Sequence, residues 1–359
     1  MAYLVIDYGT SGCRASLVSR KGEIVCQKRH TFSSDASSPF KGEIEVEKVW
    51  HHVKEVTSSL IEESPCCEIE AIGVSAMLGY VFLDESNRPL MPATLWMDNR
   101  AWKEAEELNA LFGEDQLYIL TGRRMSPELL APKLLWFRRQ RPETYSRIRT
   151  IIGLKDELVR RLTGRCVTDY AHLDYTFLWD IRQGRPLEEI MDVLEIRPTW
   201  FPMAVPSYAL AGNVVSSAAK EIGLTEGIPV IVGTSDGTAA MYGGGVLQEG
   251  KAVLVSGTTD VLMMRSHRYP KDESRALSVN RGMLKDLFLV GGAMGLSGGA
   301  MNRLEHLLHE SVRELEPRIA NVRPGAGGLI FCPGLTGERA PYWKQHWTGA
   351  VLGLQPWHG

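Results

Sequence analysis

The sequence carries two copies of one motif, in which an apolar strand, a short turn and a second apolar strand follow each other. The copies read VIDYGTSGCRASLV and AVLVSGTTDVLMMRS. Their turns are built from Gly9, Thr10 and Ser11 in the first copy and from Gly257, Thr258 and Thr259 in the second. Apolar runs separated by so few turn residues predict antiparallel hairpins. Two domains that each begin with the same hairpin indicate an ancient duplication, with the two turns facing each other across a cleft.

Both turns are suited to binding a polyphosphate. Glycine permits a tight backbone and a close approach, and the neighbouring N–H groups and hydroxyls lie on one concave side. Gly, Thr and Ser are also ordinary hairpin residues, so a purely structural role stays open for either turn alone. Asp7 precedes the first turn by two residues, and we expect it to hold a magnesium ion through water, because Mg²⁺ keeps much of its hydration shell. Neither a P-loop motif nor a strand-following GxGxxG is present, so those two nucleotide sites are not predicted.

Length and composition limit the class of protein. The chain has 359 residues, more than one hydrophobic core usually supports, so we expect two domains, 1–247 and 248–359, with the boundary at the turn Gln248-Glu249-Gly250. A net charge of -3 with 44% hydrophobic residues predicts no nucleic-acid partner. No signal peptide and no bilayer-length apolar run are recognisable, so a cytoplasmic protein without a membrane partner is expected. The six cysteines contain no CxxC pair, which argues against a zinc site or a disulfide framework.

The hydrophobic pattern predicts an α/β chain. Alternating apolar residues indicate an antiparallel meander of strands at 3–8, 13–18 and 23–28. A polar loop at 33–39 leads to a helix over 46–62, where apolar residues recur at helical spacing. IEAIGVSAM and YVFLDESNRPL follow as strands, and the middle of the chain is mostly helical. IPVIVGTSDGTAAMYGGGV then indicates a buried strand, a loop that carries an acid, and a helix of small residues.

Eight short motifs, in one order, resemble those of the FGGY carbohydrate kinases. They are DYGTSGCRA, AIGVSAMLG, LWMDNRA, APKLLWF, LTGRCVTDY, GTSDGTAA, VSGTTDV and GERAPYW. This family is a branch of the actin-like ATPase superfamily and includes xylulose, glycerol and gluconate kinases. The resemblance runs from residue 6 to residue 353 and implies an actin-like ATPase (ribonuclease H-like) fold with two domains around a cleft. Relatives continue beyond TGAVLGLQPWHG, so we expect an incomplete second domain from a truncated gene or an incomplete sequence.

The resemblance implies an ATP- and Mg²⁺-dependent phosphotransferase that acts on a hydroxyl of a sugar, sugar acid or polyol. Asp236 matches the family's general base, and its alternative role is that of an N-cap for the helix that follows. Asp7 is the residue expected to hold magnesium through water. The nucleotide-binding residues carried over are Gly9, Thr10, Ser11, Arg14, Gly257, Thr258, Thr259, Gly298 and Asn302.

The same resemblance points to a substrate site without naming the sugar. Its expected members are Met77, Leu78, Trp96, Asp98, Asp236 and Gly237. Glycerol kinases have an Arg-Glu pair where this chain has Met77-Leu78, which argues against glycerol. Leu78 stands where sugar kinases usually have His, whereas Asp236 followed by Gly237 resembles the gluconate kinases. Asp98 is expected to bind sugar hydroxyls, and a solvated surface pair with Arg100 is its alternative.

Two other functions stay open at this point. The first is a non-catalytic relic or regulator that binds a sugar with the first domain but does not turn it over. The second is an actin- or chaperone-like ATPase, which shares the two hairpins but gives no reason for WMDNR and GTSDGTAA. A homodimer is the one protein assembly considered.

Overall fold

The computed structural model describes residues 1–32, 42–64, 67–248, 250–284, 287–335, 337–344 and 347–358. The predicted polar loop at 33–39, Cys66, and Glu249 of the predicted domain boundary lie outside these residues. By contacts the chain divides into one unit of Met1–Ala240 with Asn280–Phe288 and another of Met241–Val279 with Leu289–Gly359. The boundary at residues 247 and 248 therefore stays a prediction.

The described residues form a mixed α/β structure. The strands are β1 (Ala2–Gly9), β2 (Gly12–Val18), β3 (Ile24–Thr31), β4 (Glu43–Ile44), β5 (Ile69–Ala76), β6 (Gly79–Leu83), β7 (Ala93–Leu95), β8 (Thr150–Gly153), β9 (Thr168–Asp169), β10 (Trp179–Asp180), β11 (Arg185–Pro186), β12 (Ala204–Val205), β13 (Leu210–Asn213), β14 (Pro229–Ile231), β15 (Thr234–Ser235), β16 (Ala252–Ser256), β17 (Thr259–Ser266), β18 (Ser278–Arg281), β19 (Phe288–Leu296), β20 (Ile330–Cys332) and β21 (Ala350–Leu352). The helices are α1 (Val46–Glu63), α2 (Trp102–Phe112), α3 (Glu114–Thr121), α4 (Leu130–Gln140), α5 (Pro142–Ser146), α6 (Leu154–Thr163), α7 (Tyr170–Asp174), α8 (Glu188–Leu194), α9 (Ser216–Ile222), α10 (Asp236–Gly243), α11 (Gly298–Leu308) and α12 (Val312–Ile319).

The first unit is organised around one sheet, in the order β13-β14-β5-β1-β2-β3, with β15 also paired to β5. The predicted meander is confirmed, since β1, β2 and β3 pair antiparallel to their neighbours. Strands β1 and β5 are parallel, as are β15 and β5. Because parallel strands end at the same edge of a sheet, the residues after β1, β5 and β15 are brought together there.

Side-chain periodicity explains how this sheet is covered. In β1, Leu4, Ile6 and Tyr8 are buried at every second position, as the pleat of a strand requires. Helix α1 matches the predicted helix over 46–62 and packs on β2 and β3. Its apolar residues recur every three or four positions, so Val49, Val53 and other residues of one face enter the core.

A second core in the first unit lies beside a sheet of order β4-β7-β6-β8. Phe82 and Phe137 meet edge to face there, with ring centroids 5.3 Å apart. Helices α2, α4 and α8 supply much of this core, so the helical prediction for the middle of the chain is confirmed, although short strands interrupt the helices. Within the described ranges, no helix combines the length and apolarity needed to cross a membrane.

Most of a sheet of order β16-β17-β19-β18 and the hairpin of β20 and β21 belong to the second unit. The second predicted hairpin is confirmed, because β16 and β17 pair antiparallel. Gly291 of β19 has no room for a side chain, since a Cβ there would overlap the carbonyl oxygen of Leu262 on the neighbouring strand. Met241, Val246, Met263 and Leu289 form the small apolar core beneath this sheet.

Candidate functional site

Asp7 lies near the carboxyl end of β1, and its two oxygens have different partners. Ser75 Oγ donates a hydrogen bond to Asp7 Oδ1 at 2.7 Å. Asp7 Oδ2 lies 3.4 Å from Arg14 Nη1, because the hairpin register pairs these two residues across β1 and β2. The side chains remain partly exposed. The carboxylate is therefore oriented from both sides and still accessible to solvent.

Asp236 reaches the same edge of the sheet by way of β15. Thr234 pairs with Ser75, and Ser235 pairs with Ala76. Asp236 is the first residue of α10, and its Oδ1 accepts a hydrogen bond from its neighbour, Gly237 N, at 2.6 Å. The parallel register thus brings the acid of GTSDGTAA to the edge at which Asp7 lies.

The surroundings of Asp236 alter its protonation. Burial raises the pKa of the Asp236 carboxyl to about 6, and the negative charge of Asp7 acts in the same direction. The hydrogen bond from Gly237 opposes this rise. A carboxyl with such a pKa is ionised just above pH 6 and is still basic enough to accept a proton near neutrality.

The predicted substrate residues Met77, Leu78 and Trp96 lie beside the first turn. Met77 N donates to Tyr8 O at 2.8 Å, and Trp96 N donates to Leu78 O at 3.0 Å. The Thr10 hydroxyl joins the group, since it lies 3.7 Å from Met77 Sδ and 3.5 Å from Trp96 Nε1. The structure therefore brings these sequence-predicted residues of the substrate and phosphate groups together in the first unit.

Asp98 is fully buried, and so is most of the Arg100 side chain, so the pair is not the solvated surface pair considered as its alternative. Asp98 Oδ1 accepts from Arg100 Nε at 2.8 Å, whereas Asp98 Oδ2 has no hydrogen-bond partner among the described residues. Arg100 also pairs with Glu43 at 2.7 Å. Buried carboxylate oxygens are normally hydrogen-bonded, so Oδ2 retains the capacity to accept a hydroxyl.

Lys133, in α4, connects this region to the segment before the helix. Its Nζ donates to Leu95 O and to Glu128 O, both at 2.8 Å. Burial lowers the pKa of Lys133 to about 8, although the nearby charge of Asp98 opposes the change. The sequence motif APKLLWF contained this lysine, but only the structure shows that it fixes the backbone directly before Trp96.

The oxygen atoms at Asp7 fit a magnesium ion that is bound with its water shell. Mg²⁺ in phosphoryl-transfer sites is usually held by one or two carboxylates together with phosphate oxygens and water. Asp7 supplies a single accessible carboxylate, and Ser75 adds a hydroxyl oxygen 2.7 Å from Asp7 Oδ1. Among the described residues, no cluster of three or more His, Cys, Asp or Glu side chains forms an all-protein metal site.

In the second unit, the second turn and the start of α11 are joined through their backbones. Gly298 N donates to Gly257 O, and Gly299 N donates to Thr258 O, both at 3.0 Å. A Cβ at Gly298 would overlap the carbonyl oxygen of Gly257, so this close approach requires glycine. The predicted nucleotide residues Gly257, Thr258, Thr259 and Gly298 are thus neighbours, whereas Asn302 lies one turn further along the exposed face of α11.

A buried cluster of charged residues, Lys155, Asp156 and Asp169, contacts the segment before Asp236 and was not predicted from the sequence. Lys155, in α6, forms ion pairs with Asp156 and Asp169. Thr234, two residues before Asp236, donates to Asp169 Oδ2 at 2.8 Å. Lys155 and Asp156 lie in the sequence GLKDEL, and Asp169 lies in LTGRCVTDY. Charged residues next to apolar ones are the only feature of the sequence that could have indicated this cluster.

Three comparisons place the chain among known proteins. The family model described as the FGGY family of carbohydrate kinases, N-terminal domain, matches residues 2–243. A xylulose kinase from Lactococcus lactis is 28% identical over 100% of this chain and 72% of its own length. A gluconokinase from Bacillus subtilis is 24% identical over 99% of the chain and 72% of its own length.

A solved structure, that of a xyloylose kinase from Brucella ovis, superimposes with a TM-score of 0.91 at 26% identity. It matches 100% of this chain, which corresponds to 74% of that protein. The expected actin-like ATPase fold is thereby confirmed. Taken with the match of the family model over more than half of the sequence, these similarities show that the chain belongs to the FGGY family of carbohydrate kinases.

Proposed function

We propose that this chain transfers the terminal phosphoryl group of ATP to a hydroxyl of a small sugar or sugar acid, with Asp236 as the general base. The observation that carries the proposal is the position of Asp236 at the edge of the sheet where Asp7 also lies, with a pKa raised to about 6. A base with that pKa is largely ionised at pH 7, and it can still accept a proton as the hydroxyl attacks.

The two oxygens of Asp236 have separate tasks in this proposal. Oδ1 is held by the amide of Gly237, so Oδ2 is the atom that accepts the proton of the attacking hydroxyl. The placement of the carboxylate matters more than its basicity, because phosphoryl transfer passes through a loose transition state with little bond formation to the nucleophile. Residues that hold the backbone before Asp236 therefore affect the rate of phosphoryl transfer by positioning this carboxylate.

In the first unit, Thr10, Ser11 and Arg14 are the proposed phosphate contacts. In the second unit, the backbone around Thr258 and Gly298 is proposed to bind the nucleotide. Asp7 would hold the magnesium ion through its water shell, with Ser75 orienting the carboxylate. When bound, the ion neutralises charge on the phosphate oxygens.

The substrate proposed is a ketopentose or a sugar acid. The Lactococcus lactis relative is named a xylulose kinase and the Bacillus subtilis relative a gluconokinase. Asp98 Oδ2, buried and without a partner among the described residues, would accept a hydroxyl of either sugar. Leu78 offers no hydrogen bond where sugar kinases usually have His, which argues against xylulose, whereas Asp236 followed by Gly237 resembles the gluconate kinases.

The test is a phosphorylation assay with xylulose, gluconate, ribulose, glycerol and pentitols, each with Mg-ATP, in which ADP and the phosphorylated product are both quantified. Formation of one sugar phosphate by the wild type, and its loss in Asp236→Asn, would support the proposal. Thermal unfolding with each sugar is measured in parallel, because a ligand that binds only the folded state raises the midpoint. A midpoint shift without any product would instead favour the non-catalytic sugar-binding alternative.

A further inference from the structure

We infer that Lys155 is a positioning residue for Asp236, acting through Asp169 and the hydroxyl of Thr234. This inference rests on the proposed function, because it concerns the placement of the proposed base. None of the three residues is expected to touch the sugar or the nucleotide.

Lys155 is buried and surrounded by groups that pair with its charge. Its side chain is 0% exposed, and its ammonium group forms ion pairs with the carboxylates of Asp156 and, at 3.2 Å, of Asp169. Nζ also donates to the carbonyl oxygen of Val232 at 3.2 Å. A charge is buried at such cost only when it is paired and hydrogen-bonded. Of the three partners here, Val232 lies in the segment that leads to Asp236, and Asp169 is hydrogen-bonded to that segment through Thr234.

Asp169 is linked to β15, the strand directly before the proposed base, Asp236. Asp169 is buried at the end of β9, and its Oδ2 accepts a hydrogen bond from Thr234 Oγ1 at 2.8 Å. Thr234 begins β15, and Asp236 follows two residues later. Lys155 therefore holds the segment 232–236 at two points, directly through Val232 O and indirectly through Asp169.

Segment 232–236 also contacts β5. Gly233 has φ +71°, and a Cβ there would overlap the carbonyl oxygen of Val74 on β5. The pairing of Thr234 with Ser75 continues this contact along β5. The backbone before Asp236 is thus held against β5 and by two further backbone hydrogen bonds, from Val232 N to Ala209 O and from Gly233 N to Ser207 O. The Lys155 cluster adds a contact that is made through side chains.

The remaining charges around Lys155 are consistent with this role. Asp156 Oδ2 accepts from Gly153 N at 2.8 Å, so this carboxylate is held by its own helix. His172 also faces the cluster, and burial lowers its pKa, which keeps the ring neutral. The ammonium of Lys155 is therefore the group that connects two buried carboxylates on α6 and β9 with the loop of the base.

The principal experiment removes the link without removing a charge. Thr234→Val keeps the shape of the side chain but cannot donate to Asp169, whereas Thr234→Ser keeps the hydroxyl. Thr121→Val is the matched control, because Thr121 is also buried and is remote from Asp236 in the sequence. The control loses the hydrogen bonds of the Thr121 hydroxyl to Leu117 O and Arg123 O. Kinetics use the full chain and the sugar identified in the substrate panel, below the melting temperature of every variant.

We expect Thr234→Val to lower kcat at least about tenfold while the KM for the sugar changes by less than about twofold, since misplacing a reacting group affects the transition state more than binding. Thr234→Ser should retain most of the rate. Lys155→Met should lower kcat at least as much, and the double variant should be no worse than Lys155→Met alone, because both changes act on one path. If Thr234→Val does not fold, Thr234→Ala is compared with Thr234→Ser in the same way.

A rate for Thr234→Val within about twofold of that of Thr121→Val would overturn the inference. If the wild type phosphorylates no sugar, the proposed function has failed, and the inference is decided by NMR titration of the Asp236 carboxyl carbon, identified by its loss in Asp236→Asn. Thr234→Val should then bring the pKa of Asp236 at least about half a unit closer to that of an ordinary aspartate, whereas an unchanged pKa would overturn the inference.

Discussion

Ser75 donates a hydrogen bond to the carboxylate of Asp7 at 2.7 Å. Through its backbone, the same serine is paired with Asp7 on one side and with Thr234 on the other. One position of β5 therefore sets the register of both neighbouring strands. This register brings the proposed metal-binding acid and the proposed base, Asp236, to one edge of the sheet.

Asp236→Asn should lower kcat by about 10³-fold, because a general base contributes about 10² to 10⁴ to the rate and an amide cannot accept the proton. The KM for the sugar should change little. A coupled assay of ADP release measures both constants, and Asp192→Asn, at an exposed position of α8, is the control. A variant that retains a tenth or more of the wild-type rate, as a rough threshold, would exclude Asp236 as the base.

The pH dependence should report the same carboxyl. Because the pKa of Asp236 is raised to about 6, kcat/KM should fall below pH 6 as the base becomes protonated.

The folded state also binds this proton more tightly than the unfolded state, so the contribution of Asp236 to stability decreases as the pH rises through 6. Asp236→Asn should therefore melt at a higher temperature than the wild type at pH 8, with a smaller difference at pH 4. Equal differences at the two pH values would contradict the raised pKa.

Lys133→Met should change how stability depends on pH. The pKa of Lys133 is lowered from 10.5 to about 8, chiefly by burial, so the unfolded state binds more protons between these pH values and folding becomes more favourable as the pH rises through them. The variant lacks this gain of up to about 3 kcal/mol. Urea unfolding at pH 7.5 and pH 9.5 measures the part of the gain that falls between these pH values, with Lys220→Met at an exposed position as the control. A difference between wild type and variant that is the same at both pH values would contradict the prediction.

Gly298→Ala should weaken ATP binding and leave sugar binding unchanged. The added methyl group would overlap the carbonyl oxygen of Gly257 and separate the second turn from the start of α11. We expect the KM for ATP to rise about tenfold, since a displaced turn loses hydrogen bonds to phosphate. Gly243→Ala is the control, because a Cβ at Gly243 meets nothing within 4 Å. An unchanged KM for ATP would remove Gly298 from the proposed nucleotide site.

Leu78→His should increase the preference for xylulose over gluconate. Leu78 adjoins Met77 and accepts a backbone hydrogen bond from Trp96, so a new side chain there would lie among the proposed substrate residues. An imidazole supplies a hydrogen bond that leucine cannot, which we expect to raise the ratio of kcat/KM values about tenfold. The ratio is measured by competition of the two sugars for limiting ATP. A ratio that stays constant would place residue 78 outside the specificity-determining part of the site.

Local pattern was enough to predict the first hairpin, helix α1 and the family itself. Alternating apolar residues in β1 and helical spacing in α1 leave few other ways of burying those side chains. The motif GTSDGTAA lies where β15 meets α10, and DYGTSGCRA covers the turn between β1 and β2. The residues proposed for the phosphate and sugar sites were recognised in this way, and their roles remain predictions.

The sequence by itself determined the hairpins, the family and the identity of the candidate base. It did not reveal which side chains hold that base, because Lys155, Asp169 and Thr234 are separated by 14 and 65 positions and are joined only after α6, β9 and β15 have packed. The burial of Lys133 and Asp98 could not be predicted from the sequence either. Charged residues are usually exposed, and no local sequence pattern distinguishes those that are buried. Desolvation and pairing of charges are properties of the assembled core, so only the tertiary structure decided them.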